Sequence, residues 1–144
     1  MRFTNTITIN RPSDQVFAYL ADLENLPHWN YAIEETRQVS AGPVAVGSRF
    51  RQVRSVPTRR EESLEVVELD PGRRLTVRGT LNTIPAELEY SIEPDAGTTR
   101  LRNTVDLAVH GPLALVSPLV ARQIKASVAA NLTVLKTILE RGNG

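Results

Sequence analysis

Asn103 stands between Leu101 and Val105 in a stretch, Thr98 to Val109, that alternates like a strand. Leu101, Asn103, Val105, Leu107 and Val109 share one face by the two-residue period, so an otherwise apolar face carries an amide. Tyr90 occupies the same kind of position between Leu88 and Ile92, and Asn5 between Phe3 and Ile7. If Phe50 points inward, Gln52 and Arg54 do so too; the other register would turn Arg49 and Arg51 inward. Near the C-terminus Asn131 lies beside Val128 and Leu132 at helical spacing. An unpaired polar group in an apolar interior costs on the order of 1–3 kcal/mol, so these side chains need partners. Two kinds are open: an oxygenated molecule held in a mostly apolar cavity, or neighbouring backbone groups and water at a cavity mouth.

Other chemistries find little support. His28 and His110 are isolated, in no H-x-x-x-H or H-x-E pattern, and no carboxylate shows inward periodicity beside them, so no metal is expected. His110, just before Gly111-Pro112, would need a partner to act as a base, and none is identifiable. With no cysteine, disulfides, thiolate metal sites and cysteine nucleophiles are excluded. No nucleophile elbow, phosphate loop or dinucleotide fingerprint occurs, and no cofactor is expected. Trp29 and Tyr31 flank the start of a strand, where an aromatic either walls a cavity or packs under a short helix.

The elements that must position these residues read as follows. Phe3 to Ile9 is a half-buried strand with threonines outward. Arg11-Pro12-Ser13-Asp14 opens a helix through about Ala21, capped by Ser13 or by the residue before Pro12. Asp22 to Trp29 fits a short second helix ending near Pro27. Strands are then expected at 33–39, 48–56, 61–69, 75–80, 84–93 and 98–109, joined by turns such as Asp70-Pro71-Gly72, which is an antiparallel meander. Leu75, Val77 and Gly79 face inward with Ala86, Leu88, Tyr90 and Ile92, while Arg74, Arg78, Glu87, Glu89, Arg100, Arg102 and Asp106 form a solvated outer face. The strands at 33–39 and 48–56 are the expected edges. From Ser117 to Arg141 one amphipathic helix follows, with Ile124, Val128, Leu132, Leu135 and Leu139 in its stripe. At 1.5 Å per residue it is about 35 Å long, enough to cross a small domain.

Composition bounds the rest. A chain of 144 residues most simply makes one domain, 1–144, with room for a core and a pocket. The net charge is +1, from 17 basic and 16 acidic residues, so nucleic acid is not an expected partner. No polybasic tail, signal-like N-terminus or apolar run of membrane length occurs, and the expectation is a cytoplasmic protein without stable membrane insertion. The skew of the basic residues toward arginine fits a GC-rich genome.

In order and spacing, Arg11-Pro12-Ser13-Asp14-Gln15-Val16-Phe17, Ala21-Asp22-Leu23-Glu24-Asn25-Leu26-Pro27-His28-Trp29, Val46-Gly47-Ser48-Arg49-Phe50 and the closing His110 to Arg141 resemble the START-related, or SRPBCC, helix-grip domains. Within these, the polyketide cyclase/dehydrase-like branch is the most similar. The resemblance spans essentially the whole chain. It implies an α+β helix-grip fold: a curved antiparallel sheet of about seven strands wrapped around a long C-terminal helix, with two short helices after the first strand. It also implies a cavity between sheet and helix for lipids, hormones, polyketides or other apolar molecules. Only some such domains are enzymes, so fold alone does not decide activity.

The leading expectation is a binding protein for a small apolar or aromatic ligand, such as a lipid, polyketide or related metabolite. Its site would comprise Trp29, Tyr31, Phe50, Gln52, Arg54, Val77, Leu88, Tyr90, Asn103, Val105, Val128, Asn131 and Leu132. Leu75 and Leu101 are expected to share that lining. The alternative is a cofactor-independent cyclase/dehydratase, with Arg54 or Tyr90 stabilising a developing enolate oxygen. A third reading is an interaction or stress-related regulator with a collapsed cavity. An ionisable pair facing the cavity would favour catalysis, and the sequence shows none clearly. Monomer and homodimer are both compatible with this chain.

Overall fold

The structure, a computed structural model, describes residues 1–108 and 118–142. Seven strands form one antiparallel sheet: β1 (Arg2–Ile9), β2 (Ile33–Gln38), β3 (Arg49–Arg54), β4 (Arg60–Asp70), β5 (Arg74–Leu81), β6 (Ile84–Asp95) and β7 (Thr98–Leu107). Their order is β1-β7-β6-β5-β4-β3-β2, so β2 to β7 run as a meander and β1 closes on β7. Helix α1 (Ser13–Ala21), a 3-10 turn at Leu23–Asn25 and α2 (Leu26–Trp29) connect β1 to β2, and the curved sheet wraps around α3 (Pro118–Arg141). The edges are therefore β1 and β2. The strand expected as a second edge, β3, is instead paired on both sides, Phe50 facing Gln38 on one and Leu64 on the other. β3 is an inner strand because β4 returns along its other side, and the second edge falls to β1, which pairs with β7 alone.

The strand registers follow from alternation. In β1 Phe3, Ile7 and Ile9 are shielded while Thr4, Thr6 and Thr8 are exposed; Ile7 lies opposite Leu101 and Phe3 opposite Val105. In the β5–β6–β7 ladder Leu75 pairs with Tyr90 and Tyr90 with Asn103, so the inward residues form a continuous row. The outer face carries Arg78 beside Glu87 and Arg74 beside Glu68, exposed pairs each worth about 0–1 kcal/mol. The turn from β6 to β7 rests on Ala96 and Gly97, both at positive φ, as a two-residue hairpin loop with right-handed strand twist requires.

Gly79 shapes the sheet more than any turn glycine. A Cβ there would lie 2.5 Å from Leu64 Cδ2 and 2.7 Å from Ser63 O. The β4–β5 ladder reaches only to Glu65 opposite Arg78; beyond it β5 continues along β6, and the first half of β4 continues along β3. The ladder therefore ends beside Gly79, whose missing side chain allows a close approach to Leu64 and the Ser63 carbonyl, and Leu64, Thr80 and Leu81 around it line an interior space.

The helices depart from expectation in two details. The cap position of α1 is Pro12, with no side-chain cap bond; Ser13 Oγ instead pairs with Thr99 Oγ1 at 3.0 Å, tying the helix start to β7. Pro27 does not end the short second helix but sits in the first turn of α2, where a missing N–H has no intrahelical partner to lose. Val16, Phe17 and Leu20 bury the stripe of α1 as the spacing requires.

Helix α3 is held unevenly. Its C-terminal half buries Leu132 and Leu135 and is clamped to the end of β1: Asn10 N donates to Glu140 Oε2 at 2.7 Å, Lys136 Nζ to Thr8 O at 2.6 Å, and Arg11 Nη2 to Glu140 O. Its first half is tied to β1 by Asn5 Nδ2 donating to Lys125 O at 3.2 Å, and it leaves Leu119 and Val120 exposed. From that edge it reaches over the inner strands as a roof. The expected cap Ser117, with Val109, His110 and Gly111-Pro112, lies outside the described residues.

Candidate functional site

Between the sheet and the roof lies a cavity of about 650 Å³, within the usual size of a small-molecule site. The short helices contribute Leu23, Leu26 and Trp29; the strands contribute Ile33, Leu64, Val77, Leu88, Tyr90 and Asn103; α3 contributes Ile124, Val128, Asn131 and Leu132. Tyr31, Val56, Pro57 and Val120 also line it, and Tyr31, Val56 and Val120 are at the same time substantially exposed, so they form its mouth.

Of the residues expected from sequence, Trp29, Tyr31, Gln52, Arg54, Val77, Leu88, Tyr90, Asn103, Val128, Asn131 and Leu132 line this cavity. Phe50 and Val105 do not. Phe50 packs in the main core across from Leu64, and Val105 in a smaller cluster with Ala86, Leu107, Phe3 and Leu88. Leu75 and Leu101, also expected to line it, are fully buried core residues. All four have the correct facing, but they sit along their strands where side chains from other elements fill the space.

The polar residues divide by what they touch. Asn103 Nδ2 donates to Glu89 O at 3.2 Å, and Asn131 Oδ1 accepts from Tyr31 N at 3.4 Å, so each secures backbone with part of its amide. The Trp29 and Tyr90 rings meet edge to face, centroids 6.3 Å apart and planes at 84°. Neither the indole N–H nor the phenol makes a hydrogen bond to protein among the described residues. Burial raises the Tyr90 pKa well above its ordinary value by desolvating the phenolate, so the group stays a protonated donor.

The inner register of β3 belongs to Gln52 and Arg54, and it reveals a carboxylate that sequence reasoning missed. Glu62 on β4, directly across from Gln52, is buried and accepts from Gln52 Nε2 at 2.8 Å, from Arg54 Nε at 3.0 Å to each oxygen, and from Asn82 N at 3.0 Å. Arg54 therefore brings a buried ion pair to the cavity: its side chain lines the wall and Glu62 sits behind it. Its signal was present: Glu62 falls two and four residues before the inward Leu64 and Val66, the same period that exposed Asn103. Among the described residues there is no group of three or more His, Cys, Asp or Glu able to hold a metal ion. No described helix is long and apolar enough to cross a membrane.

A curved seven-stranded sheet gripping a long C-terminal helix over a cavity defines a helix-grip protein of the START-related, SRPBCC superfamily. The sequence matches the family model "Polyketide cyclase / dehydrase and lipid transport" over residues 1–140, and the chain belongs to that family. Among solved structures it is similar to a START superfamily protein from Mycobacterium smegmatis, at 16% identity and TM-score 0.81, covering 97% of each chain. The Zhui aromatase/cyclase from Streptomyces sp. R1128 gives 20% identity and TM-score 0.77, covering 98% of this chain and 94% of that one. The di-domain aromatase/cyclase BexL gives 20% identity and TM-score 0.75, with 97% of this chain aligned to 46% of that one. At these identities the likeness is one of fold. No curated protein sequence matches the chain.

Proposed function

We propose that the protein binds a small, mostly apolar ligand, a lipid, a polyketide or a related aromatic metabolite, between its sheet and α3. The observation that carries this reading is the combination of a largely apolar cavity of about 650 Å³ with polar groups whose hydrogen-bonding capacity the protein leaves unused. Apolar walls from Leu26, Val77, Leu88, Val128 and Leu132 supply affinity, roughly 25 cal/mol for each Å² of ligand surface removed from water. Tyr90, Trp29, Asn103 and Arg54 supply orientation. A structural role alone would have Tyr90 and Trp29 paired internally, as buried polar tips usually are.

A second reading, a cofactor-independent cyclase/dehydratase, is favoured by Arg54. Its guanidinium is held at the wall and would stabilise negative charge developing on a carbonyl oxygen, while the cavity folds a reactive chain and excludes water. Native mass spectrometry on protein purified from its own host tests the binding reading. A retained apolar small molecule at one per chain is the expected result. A chain that is empty under gentle ionisation, and stays so after incubation with host lipid and metabolite extract, would count against it.

A further inference from the structure

The Arg54–Glu62 pair is nearly excluded from solvent, with side chains 8% and 2% exposed. Only Nε of Arg54 is engaged, by both oxygens of Glu62. The four N–H groups on its two Nη atoms make no hydrogen bond to protein among the described residues, although Arg54 lines the cavity. Glu62 does not line the cavity; it is saturated from the cavity side by Gln52, Asn82 and Arg54, which do, and it contributes its charge without facing the ligand space. The remaining ionisable groups on the cavity wall, among the described residues, are the phenols Tyr31 and Tyr90. The one charged side chain of the wall among the described residues, Arg54, is thus balanced by Glu62 behind it yet presents a fan of unused donors at one place.

Resting on the binding reading above, we infer that the occupant carries an uncharged oxygen acceptor, an ester, ketone or amide carbonyl, at the end that meets Arg54, and that a free carboxylate is selected against. A neutral carbonyl accepts from the Nη groups and leaves the Arg54–Glu62 balance intact. A carboxylate would meet the same donors but would add a net negative charge beside a buried Glu62 whose one ion pair among the described residues is with Arg54. Uncompensated buried charge is the most expensive arrangement a site can hold. Glu62 thus acts as a positioning and selectivity residue: it aims the guanidinium and cancels the charge that would otherwise attract acids.

The test is displacement of the neutral dye Nile red by methyl dodecanoate and by dodecanoate at neutral pH, in the wild-type protein and in Glu62→Gln. Wild type should prefer the ester by at least about tenfold, and Glu62→Gln, which unmasks the Arg54 charge, should shift the ratio toward the acid by about tenfold. The shift carries the proof, because an ester enters any apolar cavity more readily than an ion. Equal or tighter binding of dodecanoate by wild type, or an unchanged ratio in folded Glu62→Gln, would overturn the inference while leaving the binding reading intact. If Glu62→Gln does not fold, the neutral double variant Arg54→Gln/Glu62→Gln replaces it. In that variant the preference for ester over dodecane should fall by about tenfold, and an unchanged preference overturns the inference. Failure of wild type to take up the dye or either ligand would remove the binding reading and this inference together.

Discussion

Tyr90 is held by its ring, perpendicular to that of Trp29, and its phenol is left without a protein partner among the described residues. Tyr90→Phe keeps the ring contact and removes only the donor. Its unfolding free energy should change by no more than about 0.5 kcal/mol, while affinity for an oxygen-bearing ligand falls by about 1 kcal/mol. Chemical denaturation and calorimetric titration on the same variant check both; a destabilised variant with unchanged affinity would return Tyr90 to the core. Asn103 behaves differently, because it already donates to Glu89 O, and Asn103→Leu should cost about 1 kcal/mol of apo stability in the same denaturation experiment. Both residues were legible in the sequence, since a polar side chain inside a period-2 apolar row points inward whatever the fold. Phe50 and Val105 show the limit of that reasoning. Periodicity assigns a face, but not how far along a strand the packed core gives way to open space. Glu62 was legible by the same rule and was passed over because it stands among Arg60, Glu61 and Glu65, in a stretch that reads as solvated charge.

Two elements carry the architecture. Gly79 lets β5 lie close against β4, and Gly79→Ala would push a methyl group into Leu64 and the Ser63 carbonyl. The expected cost is about 2 kcal/mol or more, seen as a lowered thermal midpoint, with ligand affinity falling as Leu64 in the cavity wall is displaced. The clamp at the end of α3 has a pH signature. Lys136 and then the Asn10 N–H lower the Glu140 pKa below its ordinary value by bonding the carboxylate. A carboxyl group with a depressed folded-state pKa contributes stability that is fully present above its unfolded pKa and lost as pH falls through the folded one. The stability difference between wild type and Glu140→Gln should therefore be present at neutral pH and shrink toward zero in acid. A difference that persists below the carboxylate range would assign the clamp to something other than this charge. Element identities were readable because each strand is bounded by strong turn residues. The edge assignment was not, because nothing local in β1 states that it returns to lie beside β7, about a hundred residues away.

At the scale of the molecule, the chain balances a dry core, built on Ile9, Val16, Leu75, Leu101 and Leu135, against a neighbouring space it does not fill. A protein that keeps such a space gives up packing unless something occupies it. Occupancy should then stabilise the fold by mass action, about 2.7 kcal/mol at a ligand concentration one hundred times Kd, and raise the thermal midpoint in a concentration-dependent way. The overall grip of sheet on helix was legible from the order of strands, short helices and one long closing helix. The size of the space was not, because it depends on how far the first half of α3 stands from the strands it faces across the cavity, which no local pattern states. The most direct test of occupancy fills the space from within. Val128 lines the cavity from α3 and is only partly buried, so Val128→Trp can project its ring inward without displacing the packed residues Leu132 and Leu135. Wild type should bind one equivalent of Nile red or of an apolar ligand per chain, and Val128→Trp should lose that binding while keeping its thermal midpoint. Undiminished one-to-one binding by a folded Val128→Trp would contradict the account.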